Sequence, residues 1–170
     1  MRQQGGAFAP EPSPVAMWAI PVASVMIGSL ITILPLVATF PVLPPLGLMT
    51  LLAWRMLRPE TIRIWSPLPF GFFDDLVSGQ PLGSAMLLWT LAFLIVDLLD
   101  RRLVSRDFWQ DWVLAAGAIA FCLIAGRLLA TPLAAHVDTV LLFQVIAAVL
   151  LYPLVARLVA SLDTRRGQSA

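Results

Sequence analysis

Lysine is absent from this 170-residue chain, and cysteine, histidine and tyrosine occur once each, at Cys122, His136 and Tyr152. One cysteine excludes an intramolecular disulfide. One histidine, with no cysteine, glutamate or second histidine beside it, gives no support to a metal site. Cys122 lies in an apolar run and His136 in a polar stretch, so no nucleophile stands next to a base. Charge is scarce as well: 12% of residues are charged, against about 25% in soluble domains. The net charge of +1 makes no electrostatic case for nucleic-acid binding. No cofactor motif is present; Gly79-Gln80-Pro81-Leu82-Gly83 lacks the lysine and spacing of a phosphate loop. The sequence gives no reason to expect an enzyme.

What is abundant is apolar surface. Hydrophobic residues make up 59% of the chain and mean hydropathy is +0.88. A membrane-crossing helix needs about 20 such residues. Six runs qualify in whole or in part: about 18–40, 42–57, 64–79, 81–99, 112–130 and 139–160. They are continuous and do not alternate, which favours helices over barrel strands. Residues 1–17 read as a polar, proline-rich cytoplasmic tail, and 161–170 as a second tail. The expected architecture is all-α: one polytopic domain of six transmembrane helices. Pro41, Pro44 and Pro45 break the chain between the first two runs, while Pro21, Pro35 and Pro153 fall inside runs. Gly79 suits a left-handed helix end, and Pro81 the first turn of the next helix.

The arginines fix an orientation. With the N-terminus inside and six crossings, ten of the eleven arginines fall on the cytoplasmic side and only Arg127 outside. That asymmetry is the positive-inside pattern, and it requires the short run 64–79 to cross. Both termini are then cytoplasmic. Trp18, Trp54, Trp65, Trp109 and Trp112 gather at the expected inner interface, with Trp89 in mid-span. Small residues every four positions, Ser24, Gly28, Thr32 and Ala118, Cys122, Gly126, mark candidate packing faces.

Asp74 and Asp75 are the sharpest feature, placed roughly 15–17 Å beyond Ile64, about half-way into the hydrocarbon. An acid there must face a partner, water or the bundle interior. Two readings stand side by side: a functional polar site, or a packing device bonded to a neighbouring span. Adjacent residues differ by about 100° around a helix, so the two acids cannot share one site, and an intramembrane aspartyl protease is excluded. At the inner end, Asp97 and Arg101 are spaced to pair, and Arg58 and Arg102 add to the cytoplasmic charge. The stretch 100–112 reads as an amphipathic loop whose arginines attract anionic lipid. Arg127 is expected to snorkel outward, the alternative being a pairing with Asp138 or with the Asp74/Asp75 region.

The segment Trp54–Glu60, followed by Gly71-Phe72-Phe73-Asp74-Asp75-Leu76-Val77-Ser78-Gly79-Gln80-Pro81-Leu82-Gly83, resembles the bacterial rod shape-determining protein MreD family. The order G-x-x-x-D-L-x-x-G-x-P-L-G is filled by Gly71, Asp75, Gly79, Pro81, Leu82 and Gly83, and Asp74 is an addition to it. The resemblance implies a non-catalytic inner-membrane subunit of the cell-elongation machinery that makes peptidoglycan. Its implied partners are MreC and, through it, the MreB filament, a SEDS glycosyltransferase and a class B penicillin-binding transpeptidase. It also implies a bundle similar to the six-helix substrate-binding subunits of ECF-type transporters. The motif is expected to fix the hairpin between the third and fourth spans, with Asp75 bonding across the contact or capping a free helix end. The alternative is a small-solute binding subunit, which needs a polar cavity of roughly 300 Å³ or more.

Overall fold

A computed structural model of the chain describes residues 14–31, 44–79, 81–102, 107–130 and 139–168. Residues 1–13, Thr32, Pro35, Pro41, Gln80, Arg106, Pro132, His136 and Asp138 lie outside that set. Among the described residues there are six helices and no strand: α1 Pro14–Ile31, α2 Leu46–Leu57, α3 Pro67–Ser78, α4 Ser84–Asp100, α5 Phe108–Ala130 and α6 Thr139–Gln168.

The stretches Phe108–Leu129 and Thr139–Arg165 are long and apolar enough to cross a bilayer unaided. Helices α2 and α3 have 12 residues each, about 18 Å of rise against about 30 Å of hydrocarbon. The helix limits differ from the apolar runs in instructive ways. Helix α1 begins at Pro14, inside the expected tail, because proline suits a first helical position. Helix α5 begins at Phe108, drawing the end of the expected loop into its first turn, and α6 continues through the expected C-terminal tail to Gln168. Pro81 precedes α4 and does not start it; its carbonyl accepts from the Ser84 amide at 3.0 Å.

Helix α2 is the axis of the bundle. Nine of its twelve residues are buried, on all sides, as an all-round apolar helix requires. It packs against α1, α5 and α6, while α3 packs most closely on α4. The α1–α2 contact is made by small residues. A Cβ on Gly28 would stand 3.0 Å from the Leu46 carbonyl oxygen, and one on Gly47 would overlap the Ser29 hydroxyl. The Trp54 indole, fully buried, donates to Ser24 Oγ at 2.8 Å. Trp54 is therefore a core pin, contrary to its expected place in an interfacial belt. Trp112, half-buried, donates across to the Val149 carbonyl at 3.1 Å. Trp18, Trp65 and Trp109 remain exposed, as interfacial rings would be. The second small-residue face closes on α4: Cys122 Sγ lies 3.6 Å from the Leu88 carbonyl, and Gly126 abuts the Leu88 side chain.

Outward faces are apolar. Along α6, Phe143, Leu150, Leu154 and Leu158 are all more than half exposed. Such a stripe is tolerable in lipid and unfavourable in water.

Candidate functional site

The hairpin joining α3 to α4 is built by its glycines. Pro67 opens α3, whose last residue is followed by Gly79 at φ 68°. Gly83, at φ 94°, is the N-cap of α4. Both angles lie in the left-handed region that L-residues avoid. Neither glycine has a close neighbour where a Cβ would stand, so both serve the turn. Close approach falls to Gly71 alone. A Cβ there would lie 2.6 Å from Met86 Cα and 2.9 Å from the Ala85 carbonyl carbon. Leu82, 71% exposed, forms the tip of the turn.

One helical turn after Gly71, Asp75 meets the start of α4. A helix begins with amides that have no partner within it. An N-cap side chain normally takes some of them, but Gly83 has none. Asp75 supplies the acceptors from the preceding helix. Oδ2 accepts from the Gly83 amide at 2.9 Å and the Met86 amide at 3.2 Å. Oδ1 accepts from the Ala85 amide at 2.8 Å and the Ser84 hydroxyl at 3.0 Å. Asp75 is 1% exposed. Four donors fill the lone-pair positions of a carboxylate. The acid needs no cation and has no free lone pair for a ligand.

Asp74 turns the other way. It faces Ser29 of α1 and lines a cavity of about 380 Å³ with Arg127, Gln144, Trp89 and Cys122. Cys122 and Arg127 lie roughly 21–29 Å along α5 from Phe108. Asp74 is thus level with the later half of α5. Arg127, expected to snorkel, is exposed and also borders this cavity.

A second polar joint holds the opposite end. Asp97 accepts from Arg55 through Oδ1 and from Arg101 through Oδ2, the latter at 2.8–2.9 Å. Arg55 also donates to the Pro59 and Ile62 carbonyls at 3.0 and 3.3 Å, pinning the segment between α2 and α3. Arg58 Nε reaches Asp163 of α6 at 3.1 Å. Arg102 is exposed at the end of α4. The i, i+4 spacing reveals the Asp97–Arg101 pair; the Arg55 and Asp163 partners are 42 and 105 residues away in sequence and carry no local signal.

The Arg55 and Asp97 side chains are each 14% exposed, whereas Arg101 is 73% exposed. Asp97→Ala therefore strands a largely buried guanidinium and is expected to cost about 2 kcal/mol, below the full penalty for a dry ion pair. Arg101→Ala is expected to cost under about 0.5 kcal/mol. Denaturant titration in mixed micelles checks the ratio.

The family comparison decides what this arrangement belongs to: residues 14–162 match the model of rod shape-determining protein MreD. The chain belongs to the MreD family. No curated protein and no solved structure gives a match. As an MreD family member it takes its place among membrane proteins that determine rod shape. The matched range includes the Gly71–Gly83 hairpin, where two glycines set the turn, one sets the contact and Asp75 ties the helices.

Proposed function

We propose that the chain is a non-catalytic, multi-pass subunit of the cell-elongation complex in the bacterial inner membrane, docking an MreC-type protein. Six crossings with both termini in the cytoplasm complete this reading. Through the MreC-type partner it connects to the MreB filament, the SEDS glycosyltransferase and the class B penicillin-binding transpeptidase. The observation that carries the reading is the use made of Asp75. An acid that the membrane penalises is given wholly to holding two helices together, as a scaffold requires. The arginine asymmetry supports the orientation, and the exposed apolar stripe of α6 supports contact with lipid or with a partner helix.

Co-purification tests it. In mild detergent, the chain is expected to bring down an MreC-type protein from cells that make one, and the Asp75→Ala variant to bring down less. Recovery of a stable wild-type chain alone would overturn the docking role.

The cavity lined by Asp74, Arg127 and Gln144 favours a second reading, a small-solute binding subunit. Its volume of about 380 Å³ suits a small polar molecule. A solute that raises the melting temperature of the wild type, but not of a chain with Gly126→Leu filling the cavity, would support it.

A further inference from the structure

Between α1 and α3 runs an apolar groove of about 530 Å³. Trp18, Val22 and Met26, each about one turn after the last, form its α1 wall. Phe72, Phe73 and Leu76 belong to the α3 wall, and Ile62 and Trp65 stand at the end where α3 starts. That end carries charge. Arg55 donates to the Ile62 carbonyl at 3.3 Å, which fixes the backbone beside Arg63 at the end of the bundle held by the Arg55–Asp97 joint. Arg63 is exposed and, among the described residues, pairs with no carboxylate, unlike Arg55, Arg58 and Arg101. Trp18 is 43% exposed and Trp65 54%. Exposed tryptophan beside arginine is the signature of the headgroup level.

Length, lining and charge together choose the occupant. From Trp18 to Met26 the α1 wall rises about 12 Å. That is close to the depth of one leaflet, about 15 Å, and under half of the about 30 Å that a crossing helix covers. Among the described residues the lining holds no glycine and no alanine, the small residues against which helices pack closely in lipid. Bulky rings and flexible side chains suit a thin, flexible chain better than a helix. The guanidinium at the mouth calls for an anion, and phosphate is its usual match. A soluble anion would gain nothing from the walls, and a plain hydrocarbon would bring no counter-charge to Arg63.

We propose that this groove seats one phospholipid of the arginine-rich leaflet, with its phosphate on Arg63 and an acyl chain held between Val22 and Met26 on one side and Phe72, Phe73 and Leu76 on the other. The lipid fills the gap that α1 and α3 leave between them on the lipid-facing side. The inference rests on the proposed membrane placement of the chain and is independent of its protein partner.

Native mass spectrometry of the full, delipidated chain tests it, with phosphatidylglycerol and chain-free glycerophosphoglycerol as separate additions. The expected result is a one-to-one phosphatidylglycerol adduct and no adduct with the chain-free headgroup. Val22→Trp fills the groove and is expected to abolish the adduct. Arg63→Gln is expected to lower occupancy about fivefold, the worth of one arginine near a lipid surface. Leu150→Trp, on the exposed stripe of α6, leaves it unchanged, and Glu60→Gln, which removes an exposed acid from the segment before α3, does not weaken it. Arg63 is exposed, so its variant carries the test if Val22→Trp does not fold. Equal retention by wild type, Val22→Trp and Arg63→Gln would show unspecific annular lipid and overturn the proposal. Binding of the chain-free headgroup as tightly as the lipid would show an anion site and overturn it too. Loss of a co-purifying MreC-type protein from Val22→Trp, with lipid retention unchanged, would give the groove to a partner helix and also overturn it. A retained adduct on a chain that brings down no MreC-type protein would support the groove and overturn the docking role alone.

Discussion

Asp75→Ala is expected to be the most damaging single substitution of a charged residue in this protein. The change strips the acceptor from three backbone amides and one hydroxyl at the start of α4. Each buried donor left without a partner costs about 1–3 kcal/mol. The end of the helix relaxes and some donors find water, so a loss of about 3–4 kcal/mol is a conservative expectation. Against a total stability of about 5–15 kcal/mol, that lowers the folded population more than a hundredfold relative to the unfolded one. Asp75→Asn is expected to recover little, since its amide group turns two donors towards amides that need acceptors. Asp74→Ala removes a group that shares its site with Ser29 and a cavity, and its expected cost is about 1 kcal/mol or less. The checks are the amount of each variant in membranes and its melting temperature in detergent. Equal values for Asp74→Ala and Asp75→Ala would contradict the capping role.

Gly71→Ala is expected to approach Asp75→Ala in effect, although it adds only a methyl group. The atoms in its way are Met86 N and Cα and the Ala85 carbonyl carbon, at 2.6–2.9 Å. These belong to the backbone of α4 and cannot rotate aside. Relief requires the two helices to part by several tenths of an ångström or more, and the same movement stretches the Asp75 bonds one turn away. Overpacking of this kind costs about 1–3 kcal/mol, and the coupling to Asp75 places it at the upper end. The control is Gly117→Ala in α5, where a Cβ meets nothing within 4 Å. There the higher helix propensity of alanine predicts a neutral to slightly stabilising change, up to about 1 kcal/mol. The pair of melting temperatures separates a steric effect from a general intolerance of glycine substitution. The double variant Gly71→Ala, Asp75→Ala should cost less than the sum of its parts, because the first change already weakens the bonds the second removes.

Helix number, helix type and the α3–α4 hairpin were legible because apolar run length and Gly–Pro punctuation are local properties. Gly79 reads as a left-handed helix end from its position alone, and its φ of 68° agrees. The separate duties of the two aspartates also follow from the 100° step of a helix. What could not be read is what depends on contacts between distant segments. Gly71 and Gly83 look alike in sequence, yet one relieves a steric contact and the other sets a backbone angle. Trp54 looks like Trp65, but Ser24 on a neighbouring helix draws it inward. Arg55 carries no sign that its carboxylate lies on α4. Ile64 is not the start of the helix that carries Asp75, which begins at Pro67, because three residues of turn precede its first helical position.

The bond set of Asp75 has a consequence for biogenesis. Helix α3, at 12 residues and with two acids, is a poor substrate for release from a translocation channel into lipid as a lone segment. Helix α4 would arrive with its first amides bare. Together they cancel each other's defect, since the carboxylate of one is the acceptor that the other lacks. The two segments should therefore leave the channel as a pair, and a ribosome stalled before Gly83 should hold α3 at the protein–lipid boundary until its mate has been made.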